Sequence, residues 1–134
     1  MVARRTSPSE SDIQASFIIW INLQYPIIAD VTASFANGGH RDPRYGHRLK
    51  REGLKRGFPD VGIFTARGKY HGMFIEFKSA KGKLTTYQRQ VIVDLRLQGY
   101  KCVVCKSLDE AMNETVSYVE GRHQTNHSTA ETSP

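Results

Sequence analysis

The stretch Met73-Phe74-Ile75-Glu76-Phe77-Lys78 constrains this chain more than any other. It is apolar and aromatic enough for a buried strand, yet it carries an acid and a lysine two residues apart. Residues two apart in a strand share a face, so Phe74, Glu76 and Lys78 point one way and Met73, Ile75 and Phe77 the other. Burying an unpaired charge costs several kcal/mol, so Glu76 and Lys78 need partners. Asp60 is the nearest candidate. It closes Gly57-Phe58-Pro59-Asp60 and opens a short strand expected over Asp60 to Ala66. Ala66-Arg67-Gly68-Lys69 is a turn, and Tyr70 to Lys78 is the next strand. Pairing the two about that turn brings Asp60 to the Glu76–Lys78 end.

Two carboxylates converging at a sheet end suit a hard divalent cation, and Mg²⁺ takes a few carboxylates plus water and phosphate oxygens. Such a metal polarises a phosphate and lowers the pKa of a bound water. Lys78 beside it orients or deprotonates that water, or stabilises developing charge; sequence leaves the three roles open. The bland alternative is an exposed Glu76–Lys78 ion pair, which is what an isolated acid-x-lysine usually is. The set favours the site: Pro59-Asp60 at one strand start, Glu76 and Lys78 on the next strand, and a basic stretch just before them.

That stretch is residues 41–57. Arg41, Arg44, Arg48, Lys50, Arg51, Lys55 and Arg56 stand there against Asp42 and Glu52, which places +5 of the net +6 in one segment. A charge excess so concentrated points to a polyanion, most simply a nucleic acid backbone, rather than to a solvated basic loop. Lys81 and Lys83, in the turn after the long strand, join the candidate DNA-contacting set.

The remaining elements read in order. Ser9 caps a first helix that reaches about Gln24, with Ile13, Phe17, Trp20 and Ile21 at helical spacing, and Tyr25-Pro26 ends it. Ile27 to Ala36 reads as a strand, broken by Asn37-Gly38-Gly39. Asp42-Pro43 opens a basic second helix. Thr85-Thr86-Tyr87-Gln88 is a capping box opening a helix over about Thr86 to Gln98. Tyr100 to Cys105 is a buried strand. Ser107-Leu108-Asp109-Glu110 reads as a second capping box, and the last helix runs to about Glu120. The order α, β, (α), β, β, α, β, α predicts an α/β chain. Residues 1–8 are expected to be a flexible N-terminus, 9–120 one domain, and 121–134 a disordered tail.

This ordered set resembles the PD-(D/E)XK nuclease superfamily, and more narrowly a stand-alone VRR-NUC domain of the bacteriophage type. The residues that carry the likeness are Glu10, Asn37-Gly38, Gly57-Phe58-Pro59-Asp60, Ile75-Glu76-Phe77-Lys78, and Gly82-Lys83-Leu84-Thr85 leading to Gln88. The resemblance implies a restriction-endonuclease-like core, a central mixed sheet flanked by helices in the order αβββαβ with an extra C-terminal helix. It implies a Mg²⁺- or Mn²⁺-dependent DNA endonuclease, structure-selective for four-way junctions or other branched DNA and acting as a homodimer. By position, Asp60 and Glu76 would be metal ligands, the Phe77 carbonyl (favoured over that of Ile75) a further one, and Lys78 the catalytic lysine. Glu10 would approach the metal directly or through water. Its other reading is a first-turn acid favoured by the helix dipole. Gln88 would sit beside the site, its other reading being the capping box alone. The alternatives are a non-catalytic DNA-binding module on the same fold, and a nuclease of single-stranded or linear nucleic acid.

Other readings carry less. His40 and His47 flank the basic stretch and read as solvated loop histidines. Cys102-x-x-Cys105 with His123 and His127 resembles a zinc pattern, but seventeen residues separate the pairs and a strand would point the two sulfurs to opposite faces. Core packing is the better reading of the cysteines. The first nine residues lack the apolar stretch of a signal peptide, and no apolar run approaches a membrane span. An intracellular location is therefore expected, the host cytoplasm if the chain is phage-encoded.

Overall fold

A mixed four-stranded sheet, in the order β1-β2-β3-β4, carries the molecule, with β3 central and buried along its whole length. The computed structural model describes residues 7–35 and 43–121. Apart from Ser7, Pro8 and Gly121, the expected terminal segments lie outside the described residues. So do the Asn37-Gly38-Gly39 break, His40, Arg41, Asp42, His123 and His127.

Helix α1 spans Glu10–Gln24, and its capping box is complete between Ser9 and Asp12. Its buried stripe is Ile13, Phe17 and Ile21. The strand expected over residues 27–36 is shorter and preceded by a helical turn. α2 is Pro26–Ala29 and β1 only Thr32–Ser34. Pro26 at the first helical position presets the turn, and the turn buries Ile28 beside α1. Packing thus overrides the β propensity of Ile27 and Ile28. The Thr32 hydroxyl then donates to the Ile28 carbonyl at 2.9 Å, closing the turn before the strand begins.

The basic helix α3 is Pro43–Arg51 and buries none of its residues. β2 is Val61–Ile63, and β3 is Met73–Phe77. Both are shorter than the expected runs, but the hairpin is as read. They pair antiparallel with Val61 opposite Ile75 and Ile63 opposite Met73. β1 adds antiparallel to β2, and β4 (Lys101–Cys105) adds parallel to β3. The parallel pair is joined through α4, Thr86–Leu97. α5 closes the chain at Leu108–Val119. Its capping box is only half formed. The Ser107 hydroxyl accepts the Glu110 N–H, but the Glu110 carboxylate takes the Lys106 N–H at 3.0 Å, one residue further out.

The alternation of β3 sorts the core. Met73, Ile75 and Phe77 pack with Val61, Ile63 and Cys105 under α1 and α5. Phe74 and Cys102 face Ile92 of α4 on the other side. Phe17 and Phe77 are fully buried with ring centroids 5.7 Å apart, each stabilising the fold by about 1.5–3 kcal/mol. Cys102 and Cys105 fall in different clusters on opposite faces. Burial pushes their thiols up to about 11 and about 12, so they are inert core residues.

Candidate active site

The C-terminal end of β3 is where the charged residues collect. Asp60 immediately precedes β2 and folds back onto β3 through both its backbone and its side chain. Its N–H donates to the Ile75 carbonyl at 3.1 Å, and its Oδ2 accepts the Phe77 N–H at 2.8 Å. The carboxylate thus continues the ladder one step past the last β2 pair, which fixes it level with Glu76.

Glu76 and Lys78 lie on the α4 side of the sheet, and both are buried, at 3% and 8% relative exposure. The exposed ion pair is therefore not what forms. Glu76 Oε2 accepts from Gln88 Nε2 at 3.0 Å and lies 3.8 Å from Lys78 Nζ. Gln88 serves both of its readings at once. Its Oε1 accepts the Thr85 N–H at 2.9 Å, completing the α4 capping box, while its NH₂ end holds Glu76. An amide offers an acceptor and donors at opposite corners, so one side chain can do both.

Glu76 is pushed up to about 8 from its ordinary 4.5. Desolvation is the largest cause, and the Asp60 charge is next. Lys78 pulls the other way, since an ammonium at 3.8 Å favours the carboxylate, but burial and Asp60 outweigh it. A hydrogen bond with Asp60 also favours the protonated form. At neutral pH Glu76 therefore keeps its proton.

Glu10, in the first turn of α1, reaches the same end of the sheet. Its Oε2 accepts the Ser79 N–H at 3.2 Å, and its charge also raises Glu76. Phe77 turns its ring into the core against Phe17, so its backbone alone faces the site end. Among the described residues, no group of three or more His, Cys, Asp or Glu is arranged to hold a metal ion. Asp60 and Glu76 nonetheless form an all-oxygen pair whose mutual repulsion a cation would relieve in place of the proton. A two-carboxylate set completed by water, backbone and phosphate oxygens is the habit of Mg²⁺.

The basic residues divide by position. Arg44, Arg48, Lys50 and Arg51 lie on exposed α3, with His47, and Lys55 and Arg56 lie exposed after it. Arg48 is engaged with Glu52 at 3.0 Å. Lys81 and Lys83 are exposed in the turn that follows β3. Three contacts were not read from sequence. They are Ser79 as the anchor of Glu10, Gly57 against α4, and the Arg56 guanidinium stacked on Tyr87 at 4.1 Å from the ring centre. The signal for the last two lay in the Gly-Phe-Pro-Asp turn and the Thr85 capping box, but only folding joins them.

The family model of the VRR-NUC domain matches residues 9–109. The chain belongs to the VRR-NUC family. It is thus a nuclease-type domain of the PD-(D/E)XK superfamily, with a function in DNA processing. A solved structure titled "VRR_NUC domain protein" is similar at a TM-score of 0.71 and 28% identity, over 86% of this chain and 91% of that one. Its likeness bears out the mixed sheet flanked by helices. A comparison with curated proteins finds no match. Among the described residues no helix is long and apolar enough to cross a membrane.

Proposed function

We propose that this VRR-NUC chain is a Mg²⁺- or Mn²⁺-dependent endonuclease that hydrolyses DNA phosphodiester bonds, with a preference for branched DNA such as four-way junctions. The observation that carries the reading is half-buried Asp60 beside buried Glu76 and Lys78 at the end of β3. Asp60 and Glu76 would ligate the cation, joined by the Phe77 carbonyl, and Glu10 would approach it directly or through water. Bound there, the metal supplies Lewis acidity toward the phosphate and toward an attacking water.

The chain's own residues do the rest. The Phe77 N–H holds Asp60, and Gln88 holds Glu76, so the two carboxylates would receive a cation without reorganising. Lys78, desolvated beside them, orients or deprotonates the water or stabilises the charge that develops on phosphate. The basic residues of α3 and of the segment after it, with Lys81 and Lys83, would carry the DNA backbone. The test is cleavage of an end-labelled four-way junction and of a linear duplex with Mg²⁺ or Mn²⁺. Junction cutting at least about tenfold faster than duplex cutting is expected. Equal rates would remove the structural preference and keep the nuclease, and no cutting of either would leave the DNA-binding module.

The same reading includes a homodimer, since a four-way junction is two-fold symmetric and a C2 dimer presents two sites to paired strands. Ile19 and Leu23 of α1, Ile27 of α2 and Val31 just after it are exposed apolar side chains, Leu23 at 81% and Ile27 at 82%. No charged residue stands between Asp12 and Asp30. In a chain of net charge +6, a patch without charge is where two copies meet with least repulsion. The double substitution Leu23→Arg/Ile27→Arg is expected to turn a dimer into a monomer of unchanged helicity, read by light scattering and circular dichroism. A wild-type chain monomeric at about 100 µM, or a double variant that stays dimeric, would reject this surface.

A further inference from the structure

Arg56 lies four residues before Asp60, in the segment that leads from the basic helix into the site. Its guanidinium stacks on Tyr87 at 4.1 Å from the ring centre. Tyr87 is the residue before Gln88 in the first turn of α4, and Gln88 holds Glu76. The stack therefore stands one residue along α4 from the side chain that holds Glu76.

Its placement is imposed by the backbone. Gly57 has φ +82, and a Cβ built there would meet the Tyr87 carbonyl carbon at 2.6 Å. Only glycine lets this strand of chain lie directly on the start of α4. Phe58, next in sequence, is locked by edge contacts to Phe35 and Phe74 at 5.0 and 5.5 Å. Arg56 is thus held from both sides, by the ring it covers and by the anchored residues after it.

A guanidinium stacked by its face keeps its N–H donors in the plane, directed outward from the ring edge. Among the described residues, no hydrogen bond or ion pair engages those donors of Arg56, whereas Arg48 is committed to Glu52. Tyr87 itself is 53% exposed. A planar fork, pre-oriented next to the helix turn that holds Glu76, matches the two oxygens of a backbone phosphate.

We propose that Arg56 clamps a phosphate of the DNA strand beside the scissile bond, and that Tyr87 is a positioning residue acting through Arg56. The proposal rests on the nuclease reading above and deepens it, giving Arg56, there one charge of a basic surface, a particular phosphate and a positioning partner in Tyr87. It differs from a diffuse basic patch in one respect. A diffuse patch loses affinity with each charge removed, whereas a clamp loses it when an uncharged neighbour is removed.

The test uses the full chain and a fluorescein-labelled four-way junction. Binding is read by anisotropy in EDTA over a salt series, and single-turnover cleavage is read at saturating protein with Mn²⁺. Arg56→Ala is expected to weaken binding about tenfold and to lower the salt slope by about one. Tyr87→Ala is expected to weaken binding about threefold and slow cleavage about tenfold at an unchanged melting temperature, while Tyr87→Phe restores both. The double variant should bind no more weakly than Arg56→Ala alone. Additive losses in the double variant, or Tyr87→Ala indistinguishable from wild type in a chain that does cut DNA, would overturn the clamp and leave the nuclease standing. A wild-type chain that binds no DNA would overturn both.

Discussion

Glu76→Gln is expected to leave a folded protein that cuts DNA at least about 10³-fold more slowly, and to flatten the dependence of stability on pH. Glutamine keeps the shape of the side chain and its contact with Gln88, but it offers no negative charge to a cation. The stability half follows from proton binding. Folded Glu76 keeps its proton up to about pH 8, whereas the unfolded chain releases it near 4.5. Between those values the folded state binds more protons, so stability falls as pH rises. The contribution is fully present below pH 4.5 and lost above about 8. The amount is on the order of a few kcal/mol for a group 3% exposed, or roughly 10 °C in melting temperature. Glutamine carries no such proton, so its melting curve should lack this descent and cross above wild type at alkaline pH. A bound cation replaces the proton, so Mn²⁺ should raise the wild-type melting temperature more at pH 8.5 than at pH 5.5 and should leave Glu76→Gln unmoved. Differential scanning fluorimetry across pH, with and without Mn²⁺, reads both effects. Parallel wild-type and variant curves would remove the buried, protonated Glu76 from the account.

The residues behind this prediction were mostly legible in the chain itself. The alternation Phe74, Glu76, Lys78 against Met73, Ile75, Phe77 identified β3 and its two faces, because a pleated strand leaves no other choice. The turn at Ala66 to Lys69 then brought Asp60 opposite the end of β3. What sequence could not settle was environment. An acid and a lysine two apart look the same whether exposed or buried, and the difference depends on Gln88 and α4, which arrive ten residues later. A sequence motif shows one role per residue, so the cap and the site stand as alternatives for Gln88. The structure gives its two ends one role each. The run after Tyr25 departs from the expected strand for a related reason. Ile27 and Ile28 carry a strand propensity, but Pro26 and the burial of Ile28 against α1 decide the backbone. The Arg56–Tyr87 stack spans thirty-one positions, and no local pattern predicts it.

Lys78 offers the other large effect, and two substitutions separate its roles. Lys78→Met removes the ammonium while filling much the same volume, and cleavage is expected to fall by about 10²–10³. The same change acts on the neighbouring carboxyl. Lys78 is the opposing influence that lowers Glu76, so its loss leaves desolvation and Asp60 unanswered and drives Glu76 still higher. The pH at which Mn²⁺ begins to protect the protein from thermal unfolding should therefore move upward in Lys78→Met. A lysine far from the carboxyl pair would produce no such movement, so this readout tests the 3.8 Å contact apart from catalysis. Lys78→Arg restores the charge but cannot be deprotonated at any working pH. If Lys78 acts as the base, the arginine variant should regain the wild-type metal profile and remain as slow as methionine. If it acts by charge, the arginine variant should recover a tenth or more of the wild-type rate. A Lys78→Met protein with a wild-type rate and an unmoved Mn²⁺ profile would take Lys78 out of the site altogether. The burial of Lys78 at 8% exposure argues against that outcome, because an ammonium enclosed beside the Glu76 carboxyl without a part in its chemistry is a cost that a well-packed methionine would avoid.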